Sequence, residues 1–433
     1  MEFEVAANNH CLRLLNLDKF IAEKVVSNKN NDTVLLFVTF NQSKEAIILL
    51  DHLVSNTKKN YDILVLDNAS DKLHWDALCD KAVDQNGINL IRTFDNLGGG
   101  GGYAVALEWA MNKGYDFILV TEDDAMAQQP DLVDKMVFRR DQSKIITVMY
   151  ENAGMPSFTL HFTLYPYSII QEAGVPDPRF FMIHDDLEYS KRHMLACDRI
   201  GVKYECIKEL TYRHPTLKPK GKIWTEYFDI RNGLSLNIMH GGLISYNISV
   251  LSKLPYAYSR WLFDNDLSSL NALLNGFSDF LFNRFSYEHN KIKLDKFRKI
   301  QPNVPLLSSN WFDVENIREM DYDGIFSGTL RRFIGVNHGY LAILNKLFFN
   351  KITIISSSYL SFWHPLLMLA NKVIFIEEIS LDNKKGKIKM WNNNYRFRML
   401  RFLFGVIMSI ITSIIMLPFL NIKFFYRKLV RLS

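Results

Sequence analysis

Cysteine is scarce in this 433-residue chain, and Cys11, Cys79, Cys197 and Cys206 form neither a CxxC pair nor a zinc-ligand spacing. A zinc ribbon is thereby excluded, and a reduced cytosolic setting with free thiols is expected. The opening MEFEVAANNHCLRLLN lacks the apolar stretch of a secretory signal, so no cleaved leader is expected. Acidic residues are missing altogether from Lys384 onward, where eleven of the 51 Lys and Arg lie. The rest of the chain is therefore mildly acidic despite a formal charge of +5. A nucleic-acid binder more often carries its positive charge on the folded body, so none is expected as a partner. No internal repeat is apparent.

What is present suits a folded protein of two or three domains: 48% hydrophobic and 22% charged residues. From residue 33, strand and helix patterns alternate. TVLLFVTF (33–40), DILVLDN (62–68), INLIRTF (88–94) and YDFILVTEDD (115–124) read as strands. Helices are expected over Lys44–Ser55, from after residue 68 to about Gln85, and from the glycine run to near Gly114. This spacing predicts an α/β fold with a mostly parallel, doubly wound sheet. Ligands of such sheets bind beyond the carboxyl ends of the strands. Thr39, Asp67, Asn96 and the triplet Glu122-Asp123-Asp124 all fall at such ends. Further helices are expected from about Asp185 and over Trp224–Met239, with β-like stretches at 351–358 and 373–379.

The expected organisation is an N-terminal extension over 1–32, a catalytic domain over 33–244, and a smaller domain over 245–395. A tail over 396–433 completes the chain. Residues 402–422 are free of charge and flanked by Arg396, Arg398 and Arg401 on one side and Lys423, Arg427, Lys428 and Arg431 on the other. The run is long enough to cross a bilayer, but basic residues on both sides suit a helix lying in the interface, broken at Pro418. A membrane surface is thus an expected partner.

Four motifs carry chemistry. The triplet Glu122-Asp123-Asp124 places carboxylates where they can hold Mg²⁺ or Mn²⁺ against phosphate oxygens, although acids at a strand end are also ordinary solvated residues or caps. HDDLEYSKR (184–192) opens a helix with Asp185 and Asp186, either capping residues or a general base for a hydroxyl. NLGGGGGYA (96–104) offers backbone amides at a helix N-terminus, or is simply a loose loop. Its place after the third strand, rather than in the first βα turn, argues against an NAD enzyme. His214, in YRHP, can complete a metal shell through neutral imidazole. Arg231, in YFDIRN, and Lys218, Lys220 and Lys222 can clamp a pyrophosphate.

Together, VTFN, VLDNAS, NLGGGGGYA, TEDDA, HDDLEYSKR, YRHP and YFDIRN resemble the family 2 GT-A glycosyltransferases in order and spacing, over roughly residues 33–240. The branch they resemble most contains galactofuranosyl- and rhamnosyl-transferases of bacterial surface polysaccharides. The resemblance implies a GT-A domain and an inverting transfer of sugar from a nucleotide-sugar donor. Thr39 and Asp67 would bind the nucleoside, and Asn96, Gly98, Gly99 and Asp123 would belong to the donor pocket with Arg231. Glu122 and Asp124 would hold Mn²⁺ or Mg²⁺ with His214 as third ligand. Glu122 stands where the motif usually has Asp, and its longer side chain is expected to reach the ion through water. Asp186 would be the base, with Asp185 and Glu188 ordering acceptor hydroxyls. A lipid-linked glycan acceptor at the cytoplasmic face of the membrane is implied as well. UDP-galactofuranose is the expected donor, with dTDP-rhamnose the alternative. A glycan-binding scaffold on the same fold is the alternative of another class.

Overall fold

The computed structural model describes residues 12–14, 16–55, 60–83, 87–151, 155–156, 160–214, 223–244, 247, 254, 258 and 267–299. It also describes the strands within 311–391 and a helix over 395–432. Two compact units emerge: Met1–Thr216 with Asn283–Lys293 and Val430–Ser433, and Leu217–Phe282 with Leu294–Leu429.

The first unit is built on a ten-stranded sheet. Its parallel heart consists of β2 (Thr33–Thr39), β3 (Asp62–Asp67), β4 (Ile88–Thr93) and β5 (Phe117–Val120), in the order β4-β3-β2-β5. These strands are nearly continuous apolar runs because both faces are covered. Leu35, Phe37, Ile63, Val65, Leu90 and Leu119 bury one face with α1 (Ser43–Ser55), α2 (Lys72–Val83) and α4 (Leu132–Phe138). Val34, Leu36, Leu64, Leu66, Ile118 and Val120 are buried on the other, where α3 (Gly98–Asn112) packs on β2. The expected Rossmann-like, mostly parallel sheet is present.

The chain runs outward from β2 to β4 and then crosses back through α3 to β5, on the opposite side of β2. Strand order therefore reverses between β2 and β5, the position at which such sheets bind ligands. Beyond β5 the order continues β9 (Thr163–Pro166), β7 (Lys144–Tyr150), β10 (Lys203–Arg213) and β6 (Met126–Ala127). Strand β9 is antiparallel to both β5 and β7, whereas β10 is parallel to β7. The start of β9 and the end of β10 consequently face the same edge as the carboxyl ends of β2–β5.

Two expectations about boundaries are corrected. Residues 1–32 are not merely an extension: β1 (Ile21–Val25) pairs antiparallel with β4, and Arg13 forms a salt bridge to Glu108 of α3. The helix α7 (Ile223–His240) belongs with the second unit rather than with the sheet. There the β-like stretches expected near 351–358 and 373–379 are strands Thr353–Ser356 and Lys372–Ser380 of a separate five-stranded sheet.

The long helix Tyr395–Leu432 runs unbroken through Pro418, contrary to the expected break. Gly405, Ser409, Ser413, Leu420 and Phe424 form its buried face, while Ile407, Ile411, Ile414, Ile415, Phe419 and Ile422 are exposed. Its Ile407–Tyr426 stretch is long and apolar enough to cross a membrane, with mean hydropathy 1.8.

Candidate active site

At the switch point, Thr39 ends β2 and Asp67 ends β3, directly opposite one another in register. Both are buried, and neither Thr39 Oγ1 nor Asp67 Oδ1 has a hydrogen-bond partner among the described residues. Asp67 Oδ2 accepts from the Ser70 amide at 3.2 Å and lies 3.4 Å from Arg92 Nε. Burial raises the Asp67 pKa, and the Ser70 and Arg92 interactions only partly offset it. Two adjacent orphaned polar atoms cost stability unless something else satisfies them. A nucleoside hydrogen-bonding at these atoms fits that vacancy of partners.

Strand β5 ends at Val120, and the acidic triplet follows in a turn rather than on extended backbone. Strand alternation is therefore not what brings Glu122 and Asp124 together. His214 does so: its Nε2 lies 2.6 Å from Glu122 Oε2 and 2.9 Å from Asp124 Oδ1. The short strand β6, immediately after the triplet, pairs with the end of β10, immediately before His214. That ladder holds the two segments at one place. Asp123 is buried and accepts weakly from Gln42 Nε2 at 3.4 Å.

A second histidine joins them that motif reading missed. His161 precedes β9, whose first residue, Thr163, is paired with Val120 at the end of β5. Its Nε2 lies 3.0 Å from Glu122 Oε1, and its ring stacks on His214 with centroids 4.7 Å apart. Potential ligand atoms of Glu122, His161 and His214 all fall within 4.8 Å of one another. Burial alone would raise the Glu122 pKa, but the two histidines outweigh it and hold the carboxyl well below its usual range. Burial would lower His214, but Asp124 and Glu122 push it up to about 9. A compact set of carboxylates and imidazoles fits a divalent metal ion. No sequence spacing marks His161; only the antiparallel course of β9 brings it here.

The third part of the site is the start of α6 (Asp185–Ile200). Three of the four preceding residues, Phe181, Ile183 and His184, have left-handed backbone, at φ of 63°, 64° and 69°. Such strain in non-glycine residues persists only where the surroundings fix it, and it concentrates at functional sites. Desolvation, then the neighbouring Asp186, pushes Asp185 up to about 8. Asp186 is raised as well, chiefly by burial, although its Oδ1 accepts from the Leu187 amide at 2.7 Å. Glu122 acts electrostatically on both aspartates, so the dyad and the metal-ligand group share one field.

The glycine run sits against this loop. Gly98 has φ of 71°, and a Cβ there would fall 2.1 Å from the Phe181 carbonyl oxygen; one on Gly99 would fall 2.9 Å from Asp185 Oδ2. The Gly100 amide donates to the Phe181 carbonyl at 3.2 Å. Asn96 Oδ1 accepts from the Gly98 amide at 2.9 Å and from Asn68 Nδ2 at 3.2 Å. The run is thus the first turn of α3, made bare so that the aspartate loop can approach it.

No protein-family model matches the chain. It is 24% identical to the galactofuranosyltransferase GlfT1 of Mycolicibacterium smegmatis over 259 residues, covering 49% of this chain and 83% of that protein. Among solved structures, a mannosyltransferase of Pyrobaculum calidifontis in complex with GDP-Man and Mn²⁺ is similar at TM-score 0.38. Identity there is 10%, with 62% of this chain and 77% of that one covered. S. aureus TarS 1–349 in complex with UDP-GlcNAc is similar at TM-score 0.40, with 13% identity and 61% and 89% coverage. The sequence likeness to GlfT1 joins the acidic group and dyad already described. The chain is a glycosyltransferase.

Two residues of the expected site of this glycosyltransferase do other work. Glu188 is fully buried, and both its oxygens bond Arg192, at 2.7 and 2.8 Å; Arg192 also donates to the Ala173 and Val175 carbonyls. The expected role with acceptor hydroxyls is corrected: Glu188 anchors α6 from behind. Arg231 lies in the second unit, wholly buried over the Tyr227 and Phe228 rings, with Nε donating to Asn232 Oδ1. Packing within the helices, rather than a pyrophosphate clamp, is its place here. Lys218, Lys220 and Lys222 lie outside the described residues.

Proposed function

We propose that this glycosyltransferase is inverting and metal-dependent, and that it moves galactofuranose from UDP-galactofuranose to a lipid-linked glycan of a surface polysaccharide. The observation that supports this best is the pairing of an ionised carboxylate–imidazole group with a proton-holding aspartate dyad at one switch point. The similarity to a galactofuranosyltransferase supports the donor sugar.

In this reading Thr39 and Asp67 bind the uridine through the atoms that lack partners among the described residues, and Asn96, Gly98, Gly99 and Asp123 line the same pocket. Glu122, Asp124 and His214 hold Mn²⁺ or Mg²⁺, which when bound neutralises charge on the diphosphate leaving group. Asp186 takes the proton from the acceptor hydroxyl as the hydroxyl oxygen bonds to the anomeric carbon. Asp185, pushed up to about 8, is the member of the dyad that keeps its proton at neutral pH. A single displacement inverts the anomeric centre.

The long C-terminal helix supports action at the membrane. Its protein-facing side carries small or polar Gly405, Ser409 and Ser413, while isoleucines face outward. That pattern is the reverse of a water-soluble helix, and the basic residues at both ends suit an anionic lipid surface. We place the enzyme at the cytoplasmic face, held in the interface by this helix, with 245–395 serving the acceptor.

The test is turnover. Purified protein with Mn²⁺ and a lipid-linked glycan should release UDP from UDP-galactofuranose and form the inverted linkage. Transfer from dTDP-rhamnose alone would make it a rhamnosyltransferase. Glycan binding without turnover of either donor would make it a scaffold.

A further inference from the structure

His161 has no part in the reading above, yet it is built into the metal-ligand group. Its Nε2 points at Glu122 Oε1 from 3.0 Å, while His214 Nε2 takes the other oxygen at 2.6 Å. Behind it, His161 Nδ1 lies 3.2 Å from the hydroxyl of buried Tyr212. A partner on Nδ1 fixes a ring's orientation and leaves Nε2 available, the arrangement that metal-binding histidines generally show. The neighbouring Phe162 has φ of 38°, so the backbone is held in an unusual turn just where the ring enters the site.

We propose that His161 is a metal ligand, making the protein's share of the shell two imidazoles with Glu122 and Asp124, and that this set selects a first-row transition ion over Mg²⁺. The inference rests on the glycosyltransferase reading of the site. Magnesium keeps a shell of oxygens, whereas imidazole nitrogen adds affinity for first-row ions, least for manganese and more for those that follow it. Glu122 meets two rings stacked 4.7 Å apart, one on each carboxylate oxygen, so the two imidazoles and the acid form one group.

The test uses the full-length protein with Mn²⁺ or Mg²⁺ alone, without nucleotide. Pulsed electron paramagnetic resonance of bound Mn²⁺ should show nitrogen couplings from two imidazoles in the wild type and from one in His161→Ala. By titration, His161→Ala should weaken Mn²⁺ binding at least about tenfold while changing Mg²⁺ binding far less, so the preference collapses. Tyr212→Phe, which keeps the ring and removes the hydroxyl, should shift the same ratio by a smaller factor. A single nitrogen in the wild-type spectrum would overturn the proposal without any variant having to fold. An unchanged Mn²⁺ to Mg²⁺ preference in His161→Ala would overturn it too. If UDP binding still required metal and Asp124 in either case, the glycosyltransferase reading would stand and only the role of His161 would fall.

Discussion

The two acidic regions of the site contain the same kind of group and sit in one field, yet they are driven in opposite directions. Glu122 is half-buried beside two imidazoles and stays ionised, because opposite charge outweighs desolvation. Asp185 is half-buried beside another aspartate and is pushed up to about 8, because desolvation and like charge outweigh its backbone hydrogen bonds. Chemistry is divided by neighbours rather than by residue type, as in other enzymes with paired carboxylates. One region is prepared to hold a cation, and the other to exchange a proton.

The sharpest way to break this division is Asp186→Asn. Removing a general base should lower the transfer rate by about 10²–10⁴-fold, while leaving UDP affinity within a few-fold of wild type. Single-turnover transfer and equilibrium binding on the same preparation check both halves of that statement.

Glu188→Gln draws the line between the dyad and its support. Breaking a buried ion pair leaves Arg192 uncompensated and should cost about 3 kcal/mol of stability. Thermal unfolding should report that loss, and the activity of the remaining folded protein should fall far less than in Asp186→Asn. A selective loss of transfer at unchanged stability would return Glu188 to the acceptor site.

A methyl group on the glycine run should disturb one side of the comparison only. In Gly99→Ala the new Cβ meets Asp185 Oδ2, so the expected result is a roughly tenfold slower transfer with metal-dependent UDP binding retained. Loss of UDP affinity as well would show that the donor pocket which Gly99 lines has no room for the added methyl group.

The smallest effect is in pH. The base works unprotonated and the dyad is raised, so the rate constant for transfer should climb with pH through an apparent pKa above the ordinary carboxylate range. Asp185→Asn, which leaves Asp186 as the only titrating carboxyl of the dyad, should reduce that rise to a single ionisation.

Much of the first unit was legible because its strands are apolar runs cut by turn residues, with each acid cluster at a carboxyl end. Asp185, Asp186, Glu122, Asp124 and His214 fall in recognisable strings, and the structure brings them into one field. His161 was not legible, since its place depends on the antiparallel course of β9, which local pattern does not specify. Glu188 and Arg231 were misread for another reason. A charged residue in a motif looks the same in a string whether it faces a cleft or, like Glu188 against Arg192, closes a buried pair. The Pro418 break failed because the structure carries the helix through that residue.

The most direct measurement is calorimetric titration of UDP, with and without Mn²⁺, into the wild type, Asp124→Ala and Asp186→Asn. Binding should depend on metal in the wild type, be lost in Asp124→Ala and survive in Asp186→Asn. Equal loss in both variants would contradict the division of the site into a cation-holding and a proton-moving half.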